Sequence, residues 1–236
     1  MNLRLWGILV AICCFAATPL LAVPIAVPNF SFESPDVADG TASTTITGWS
    51  PPATGGGVHD QQNAQYAGAT GNNSSLPGTA SGGQDAFLSL GVDTGGSGGF
   101  TSMGAFNVTT IAADTRYFLT VALGNRLDAD PGLIGLGFLV GFTQTPPLFI
   151  PSASIPNGTF TDFSTSIGPF PAGDPNVGSP LGIALSMQSP PHNTQQLEGN
   201  FDNVRLDAVA IPEPSTMLLL AMAVALFPRR CRGLPN

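Results

Sequence analysis

The sequence has no lysine, and its three cysteines lie near the two ends of the chain, at positions 13, 14 and 231. The segment from 23 to 210 therefore has no thiol, which excludes disulfide bonds and cysteine ligands for zinc in that part. This segment carries three arginines and 14 acidic residues, a formal net charge of −11. Because binding to phosphates needs lysine and arginine, we expect no nucleic acid as a partner.

The central segment is also poor in side chains that carry out catalysis. Its two histidines, His59 and His192, are far apart in the sequence. The run Gly-Gly-Ser97-Gly-Gly matches the pattern of a serine nucleophile, but it lacks the strand before it and the helix after it that such a turn requires. No spacing of the acidic residues indicates a catalytic pair. These observations favour a protein without enzymatic activity.

The N-terminus predicts a secretory signal peptide over residues 1–22. Arg4 is followed by an apolar run, Leu5–Ala17, and by a cleavage region that ends at Ala22. This is the order of charge, apolar stretch and small residue that export machinery recognises. The sequence therefore predicts export across the inner membrane, with the segment 23–210 as the exported domain.

The C-terminal segment, 211–236, predicts a second signal. A Pro-Glu-Pro break is followed by 11 uncharged apolar residues, Met217–Phe227, and then by arginines. At ~1.5 Å per residue a helix of that length spans roughly 16 Å, about half of a ~30 Å hydrocarbon core. A membrane segment over 216–228 is therefore too short for a permanent anchor, and we expect only transient attachment.

This tail resembles the PEP-CTERM sorting signal of Gram-negative bacteria. The residues that carry the resemblance are Pro212, Glu213, Pro214, Arg229 and Arg230, together with the apolar run between them. The resemblance implies that an exosortase recognises and cuts the tail, and that the protein then resides in the cell envelope or outside the cell. Hosts of such signals often make exopolysaccharide, which becomes a candidate partner.

The central segment predicts an all-β fold. It is rich in glycine and proline, and apolar residues recur in short strand-like runs with no amphipathic helical period. The predicted strands are 29–34, 44–50, 86–91, 100–110, 116–125, 133–143, 158–167, 182–187 and 199–209. Long spacers are expected at 54–83 and 168–180. So many strands without βαβ spacing indicate a jelly-roll β-sandwich, flanked by the signal-peptide helix and a short C-terminal apolar helix.

Four segments, 27–35, 46–50, 119–126 and 201–206, resemble a carbohydrate-binding module of the galactose-binding-like jelly-roll type. The most telling pieces are the opening Asn29-Phe-Ser-Phe-Glu33 and the closing Phe201-Asp-Asn-Val-Arg-Leu206. The resemblance implies that the first and last strands lie together and that Glu33 and Asp202 help to hold a structural Ca²⁺, the one cofactor expected. Two exposed acids without an ion are the alternative.

Sugar binding would need an exposed aromatic ring on which the sugar can stack. Trp49 and Tyr66 are the candidates, although a packing role for Trp49 at the end of a strand is the alternative. Tyr117 alternates with apolar residues and is expected in the core. The sequence thus predicts a non-catalytic envelope or matrix protein that binds polysaccharide. The alternatives are a structural surface protein without a ligand and a hydrolase that acts on polysaccharide.

Overall fold

The computed structural model describes residues 21–52, 54–60, 65–67, 76–93 and 96–211. Most of the predicted signal peptide lies outside these residues. The segment 216–228 and the sorting residues Pro212, Glu213, Pro214, Arg229 and Arg230 lie outside them entirely, so both flanking helices stay predictions. In the described part of the chain, no helix has the length and apolar character needed to cross a membrane.

The described residues form strands and one 3-10 turn, Ser152–Ser154, with no α-helix among them. The strands are β1 (Val23–Ile25), β2 (Ala42–Ser43), β3 (Gly56–Asp60), β4 (Gln84–Leu90), β5 (Phe100–Thr110), β6 (Thr115–Asn125), β7 (Leu133–Val140), β8 (Thr143–Gln144), β9 (Leu148–Pro151), β10 (Thr159–Phe170), β11 (Pro180–Gln188) and β12 (Leu197–Ala210). The predicted all-β class is confirmed.

The strands form two antiparallel sheets that pack face to face. The larger sheet has the order β10-β6-β12-β4-β3-β2, and β1 also pairs with β12. The smaller sheet has the order β5-β11-β7-β8, with β9 beside β7. From β4 onward the chain crosses repeatedly between the two sheets, which is the connectivity of a jelly roll. The strand that pairs with the last strand is β1, whereas the expected opening strand at 29–34 is absent.

The core lies between the sheets and follows from the two-residue period of the strands. In β6, the side chains of Tyr117, Leu119, Val121 and Leu123 point inward and are at most 2% exposed, whereas Phe118 points outward. The inward face is the one that the sequence predicts, and Tyr117 is in the core as expected. The residues between the inward ones point to the outer face of each sheet, and the candidate site lies on the outer face of the larger sheet.

Two predicted strands are wrong. Residues 29–34 form a turn in which Asn29 and Phe32 have positive φ angles of 44° and 56°. The Asn29 amide donates to the Ser34 carbonyl at 2.6 Å and accepts from its N–H at 3.1 Å. Asparagine side chains compete in this way with strand pairing. Residues 44–50 contain no strand, and the pairing with β3 ends at Ser43.

Candidate functional site

A polar face covers part of the larger sheet on the side away from the core. In β12, Phe201 points into the core, so its neighbours Asn200 and Asp202 point outward; all three are fully buried. The same alternation turns Asp85 outward in β4 and His59 outward in β3. We call the following residues the outer-face cluster: His59, Tyr66, Asp85, Arg126, Glu198 and Asn200.

The strand register brings these residues together. Asn200 pairs with Phe87 of β4 on one side and with Gly124 of β6 on the other. One step along the sheet, Asp85 pairs with His59. Residues directly opposite each other on antiparallel strands have Cβ atoms about 4.5–5.5 Å apart. Side chains that are far apart in the sequence therefore share one surface.

Tyr66 reaches this surface from a loop of which the structure describes residues 65–67. The loop is joined to the sheet by bonds from Ala67 N–H to the Gly158 carbonyl (2.7 Å) and from Leu127 N–H to the Gln65 carbonyl (2.9 Å). The Tyr66 ring is 1% exposed and packs on Phe160 with 4.8 Å between ring centres. The loop therefore holds an aromatic ring against the outer face of the sheet.

The Tyr66 hydroxyl donates to Asp85 Oδ2 at 3.5 Å. Burial, and then the nearby Asp85 charge, raise the pKa of Tyr66 well above its usual value, so the phenol stays protonated at physiological pH. Asp85 itself is fully buried. The carboxyl group of Asp85 and the hydroxyl group of Tyr66 therefore lie together in a buried position, from which the Tyr66 ring excludes water.

Asn200 has a buried acceptor that has no partner among the described residues. Its Nδ2 donates to Glu198 Oε1 at 3.5 Å. Its Oδ1 is buried and accepts no hydrogen bond from the part of the chain that the structure describes. An unsatisfied buried acceptor costs about 1–3 kcal/mol.

Arg126 anchors the end of the cluster. Its Nε and Nη2 donate to the two carboxylate oxygens of Asp128 at 2.8 and 2.7 Å, and its Nη1 donates to Glu198. The hydrogen bond from Arg126 is the main reason why the pKa of Asp128 is lowered. The arginine side chain is 9% exposed. Because its charge is matched by two carboxylates, it acts as a rigid bridge between β12 and the segment after β6.

His59 lies at the more open side of the cluster. Its ring meets Phe87 edge-on, with 6.0 Å between ring centres and 67° between ring planes. Both residues are partly exposed, whereas Asp85 and Asn200 are not. Burial lowers the pKa of His59, the nearby Glu198 charge opposes that shift, and the ring is neutral at pH 7.

The two predicted calcium ligands lie at one turn, Ser81–Gln84. Glu33 Oε1 accepts from the N–H groups of Gly83 and Gln84, each at 3.0 Å. Asp202 accepts from Ser81 N–H at 2.5 Å and from Asn203 N–H at 2.6 Å.

Burial and neighbouring groups strongly affect the Asp202 carboxyl at this turn. Burial, opposed by two backbone hydrogen bonds and then reinforced by the nearby Glu33 charge, raises the pKa of Asp202 to about 8. In the described residues, no group of three or more His, Cys, Asp and Glu side chains could hold a metal. Further Ca²⁺ ligands would therefore be carbonyl oxygens and water. The calcium assignment stays a prediction.

The predicted sugar-stacking residues do not form a surface platform. Trp49 is 5% exposed, packs on Phe32 with 5.1 Å between ring centres, and donates from Nε1 to the Pro28 carbonyl at 2.9 Å. It is a core residue, in agreement with the packing alternative. Tyr66 is also buried. Neither ring presents an open face on which a sugar could stack.

Sequence reasoning missed Asp85, Arg126, Glu198 and Asn200, and it set His59 aside. The alternation in Gln-Asp85-Ala-Phe-Leu and Gly-Asn200-Phe-Asp shows that these polar residues oppose core residues. It does not show that the loop containing Tyr66 covers them. Burial by this loop distinguishes these residues from polar residues on a solvent-exposed strand face, and such burial depends on tertiary structure.

A second feature is a polar cavity at the end of the sandwich, beside Arg126. Its volume is about 560 Å³. The polar side chains that line it are Asn125, Arg126, Asp128, Asp130, Ser152, Asn157, Gln195 and Gln196. Its size falls in the range of small-ligand sites, but the lining has no aromatic ring.

Comparison with protein families gives a match over residues 23–207 to the model described as HpiC1-like, HpiC1 cyclase. The chain belongs to the HpiC1-like family. The matched range includes every residue of the outer-face cluster. A comparison with curated proteins finds no match.

Solved structures of cyclases from Fischerella sp. TAU are similar to this chain. The Stig cyclase Fisc, in complex with (3Z)-3-(1-methyl-2-pyrrolidinylidene)-3H-indole, is 25% identical over 81% of this chain and 100% of its own, with a TM-score of 0.62. A cyclase in complex with 4-(1H-indol-3-yl)butan-2-one is 23% identical over 81% and 100%, with a TM-score of 0.61. The expectation of a non-catalytic protein is therefore wrong, because the family and the 25% identical Fisc structure point to an enzyme.

Proposed function

We propose that this protein is an exported cyclase, an enzyme that closes a ring on a substrate with an electron-rich aromatic group. Membership of the HpiC1-like family supports the reaction class. The indole-type ligand of Fisc, a structure that covers most of this chain, supports an aromatic substrate. The outer-face cluster is the proposed site, because it combines buried acid, amide and aromatic groups.

The observation that carries the proposal is the buried pair of Asp85 and Tyr66 beside the unpaired Oδ1 of Asn200. Acid-initiated ring closure needs a proton donor that is shielded from water, and a positioned acid contributes about 10²–10⁴-fold to rate. Asp85 is the proposed donor and the Tyr66 hydroxyl its positioning partner. Asn200 Oδ1 would accept a hydrogen bond from the substrate. The rings of Tyr66 and Phe87 would stabilise the positive charge that develops during ring closure.

Asp202 is the other buried acid on this face, and burial raises its pKa to about 8. Both of its oxygens accept backbone N–H bonds, from Ser81 and Asn203, so they are already bonded to the turn that Glu33 also contacts. Asp85 is the proposed donor because it is bonded to the Tyr66 hydroxyl beside Asn200 and not to that turn.

The proposal is tested by incubating the exported domain, residues 23–210, with indoles that carry a pendant alkene. Ring closure changes no mass, so products are separated by liquid chromatography and identified by NMR. Asp85→Asn preserves shape but cannot donate a proton, and we expect the rate to fall about 100-fold or more. Asp174→Asn, in a distant turn, is the matched control and should leave the rate unchanged. Absence of any cyclised product, or full activity in Asp85→Asn, would contradict the proposal.

Export and sorting remain part of the proposal. The signal peptide, the Pro-Glu-Pro tail and the basic end support transient attachment at the inner membrane and release by an exosortase into the envelope or the medium. Release would put the cyclase outside the cytoplasm, where its substrate must then also be present.

Glycan binding is a second candidate, and the polar end cavity favours it. Carboxylates and amides of Asp128, Asn157 and Gln195 can bond sugar hydroxyls there. Exopolysaccharide pull-down with the secreted domain tests it: retention should be lost in Asn157→Leu and kept in Asp174→Asn. If both variants are retained equally, the polar end cavity is not the glycan-binding site.

A further inference from the structure

Three residues of the outer-face cluster have no role in the proposed reaction. Two of them, Arg126 and Glu198, form an ion pair with each other, and the third is His59. It projects from β3 on the same face as Asp85, which is its direct register partner on β4. Its ring edge lies against Phe87, at the partly exposed side of the site. A substrate that enters from this side would meet His59 before the buried acid.

The charges that face His59 come from several elements. Asp85 lies opposite on β4, Glu198 projects from β12, and Arg126 and Asp128 follow β6. On the β2 side its partner is uncharged Ala42. Burial outweighs the acidic neighbours and lowers the pKa of His59, so its ring is neutral near pH 7. A neutral imidazole has one nitrogen that can accept a proton.

We propose that His59 is the base of the reaction and removes the proton that the aromatic ring must lose after ring closure. The inference rests on the proposed cyclase function. When a ring carbon attacks the cationic centre, a C–C bond forms and that carbon keeps its hydrogen. Transfer of this hydrogen to His59 as H⁺ returns the C–H electron pair to the ring and restores aromaticity.

The site gives one proton to the substrate and takes one proton from it. Asp85 gives one proton to start the reaction, and His59 takes one proton at its end, so the product is an isomer of the substrate. The resulting imidazolium lies directly opposite the Asp85 carboxylate, to which the proton can return. No oxidant, reductant or cofactor is required. Two opposed residues thus supply an acid and a base for one catalytic cycle.

Proton exchange tests this role separately from ring closure. The probe is 4-(1H-indol-3-yl)butan-2-one in D₂O, which has no alkene to cyclise. Asp85 would add D⁺ to a ring carbon, His59 would remove H⁺ from the same carbon, and NMR follows the loss of the ring C–H signal. In His59→Gln, a variant with a polar but non-titrating side chain, we expect exchange to fall about 100-fold or more. His192→Gln makes the same change in an exposed loop and is the matched control.

The pH profile separates a base from a residue that only packs. Exchange by the wild-type protein should rise with pH through the lowered pKa of His59. The rise should be absent in His59→Gln and in His59→Asn, with melting temperatures like that of the wild type. Wild-type protein without exchange, or His59 variants with the wild-type profile, would overturn the inference. Exchange without ring closure on alkenyl indoles would refute the cyclase proposal alone.

Discussion

Gly124 leaves room for the Tyr66 ring on the outer face of the larger sheet. A Cβ at this position would lie 2.6 Å from the Tyr66 hydroxyl oxygen and 2.7 Å from ring atoms of Phe160. Both distances are shorter than any normal contact. The absence of a side chain at Gly124 is therefore what allows Tyr66 to lie across the strand and reach Asp85.

Gly124→Ala should accordingly displace the Tyr66 ring. We expect a loss of about 1–3 kcal/mol in the free energy of unfolding, because overpacking forces side chains away from their preferred positions. Urea denaturation measures it. Gly173→Ala is the matched control, since a Cβ there meets nothing within 4 Å. Equal stability of the two variants would show that Tyr66 is not held against Gly124.

The turn at Ser81–Gln84 gives a second prediction for single residues. If Glu33 and Asp202 hold Ca²⁺, the ion at 100 times its dissociation constant should stabilise the fold by about 2.7 kcal/mol. For a domain of this size, that corresponds to a rise of about 5–10 °C in melting temperature. Glu33→Gln and Asp202→Asn should lose the rise, and Asp174→Asn should keep it. The same midpoint in calcium and in chelator would rule out the ion.

Among the elements, β12 and the segment after β6 are joined by a partly buried ion pair. The side chains of Arg126 and Glu198 are 9% and 15% exposed, whereas those of Arg205 and Asp162, which join β12 to β10, are 41% and 33% exposed. Water screens the second pair far more than the first. We therefore expect the Arg126–Glu198 pair to contribute more to the free energy of unfolding than the Arg205–Asp162 pair.

Arg126→Lys should destabilise the protein by about 1–3 kcal/mol, because lysine cannot bond Asp128 and Glu198 together in the geometry of a guanidinium. Arg205→Lys makes the same substitution at the exposed pair and should change stability by less than about 1 kcal/mol. Thermal and urea unfolding compare them. Similar losses in both variants would mean that burial of Arg126 does not strengthen its ion pairs.

The strands with regular alternation could be predicted from the sequence, and the others could not. The predicted 100–110 and 116–125 agree with β5 and β6 to within one residue. The predicted strand 29–34 failed because the Asn29 side chain closes a turn. β3 was missed because Gly56 and Gly57 suggest a loop, although Gly57 is needed where the chain passes close to the backbone of Ser43.

The candidate site was less predictable than the fold. Glu33 and Asp202 both accept hydrogen bonds from the turn Ser81–Gln84, and their role as calcium ligands stays a prediction. Asp85, Asn200 and His59 come from three strands, and their proximity depends on the order β12-β4-β3 in the sheet. No local pattern encodes that order. The site became visible only when the register was known.

At the scale of the whole molecule, the tail should be absent from the mature protein. The apolar run 217–227 is too short to hold a protein stably in a bilayer, so in cells that express an exosortase we expect the exported chain to end near the Pro-Glu-Pro residues 212–214. Mass spectrometry of the secreted protein measures the terminus. An intact chain ending at Asn236, found embedded in the envelope, would contradict the sorting proposal.

The last strand, β12, lies in the middle of the larger sheet, between β6 and β4, and also pairs with the first strand, β1. It supplies Glu198, Asn200 and Asp202 to the outer face. During export from the N-terminus, the preceding strands would reach the far side of the membrane with a gap at the centre of their sheet. If the protein is exported, the proposed site would be complete only after the final stretch of the chain has been delivered.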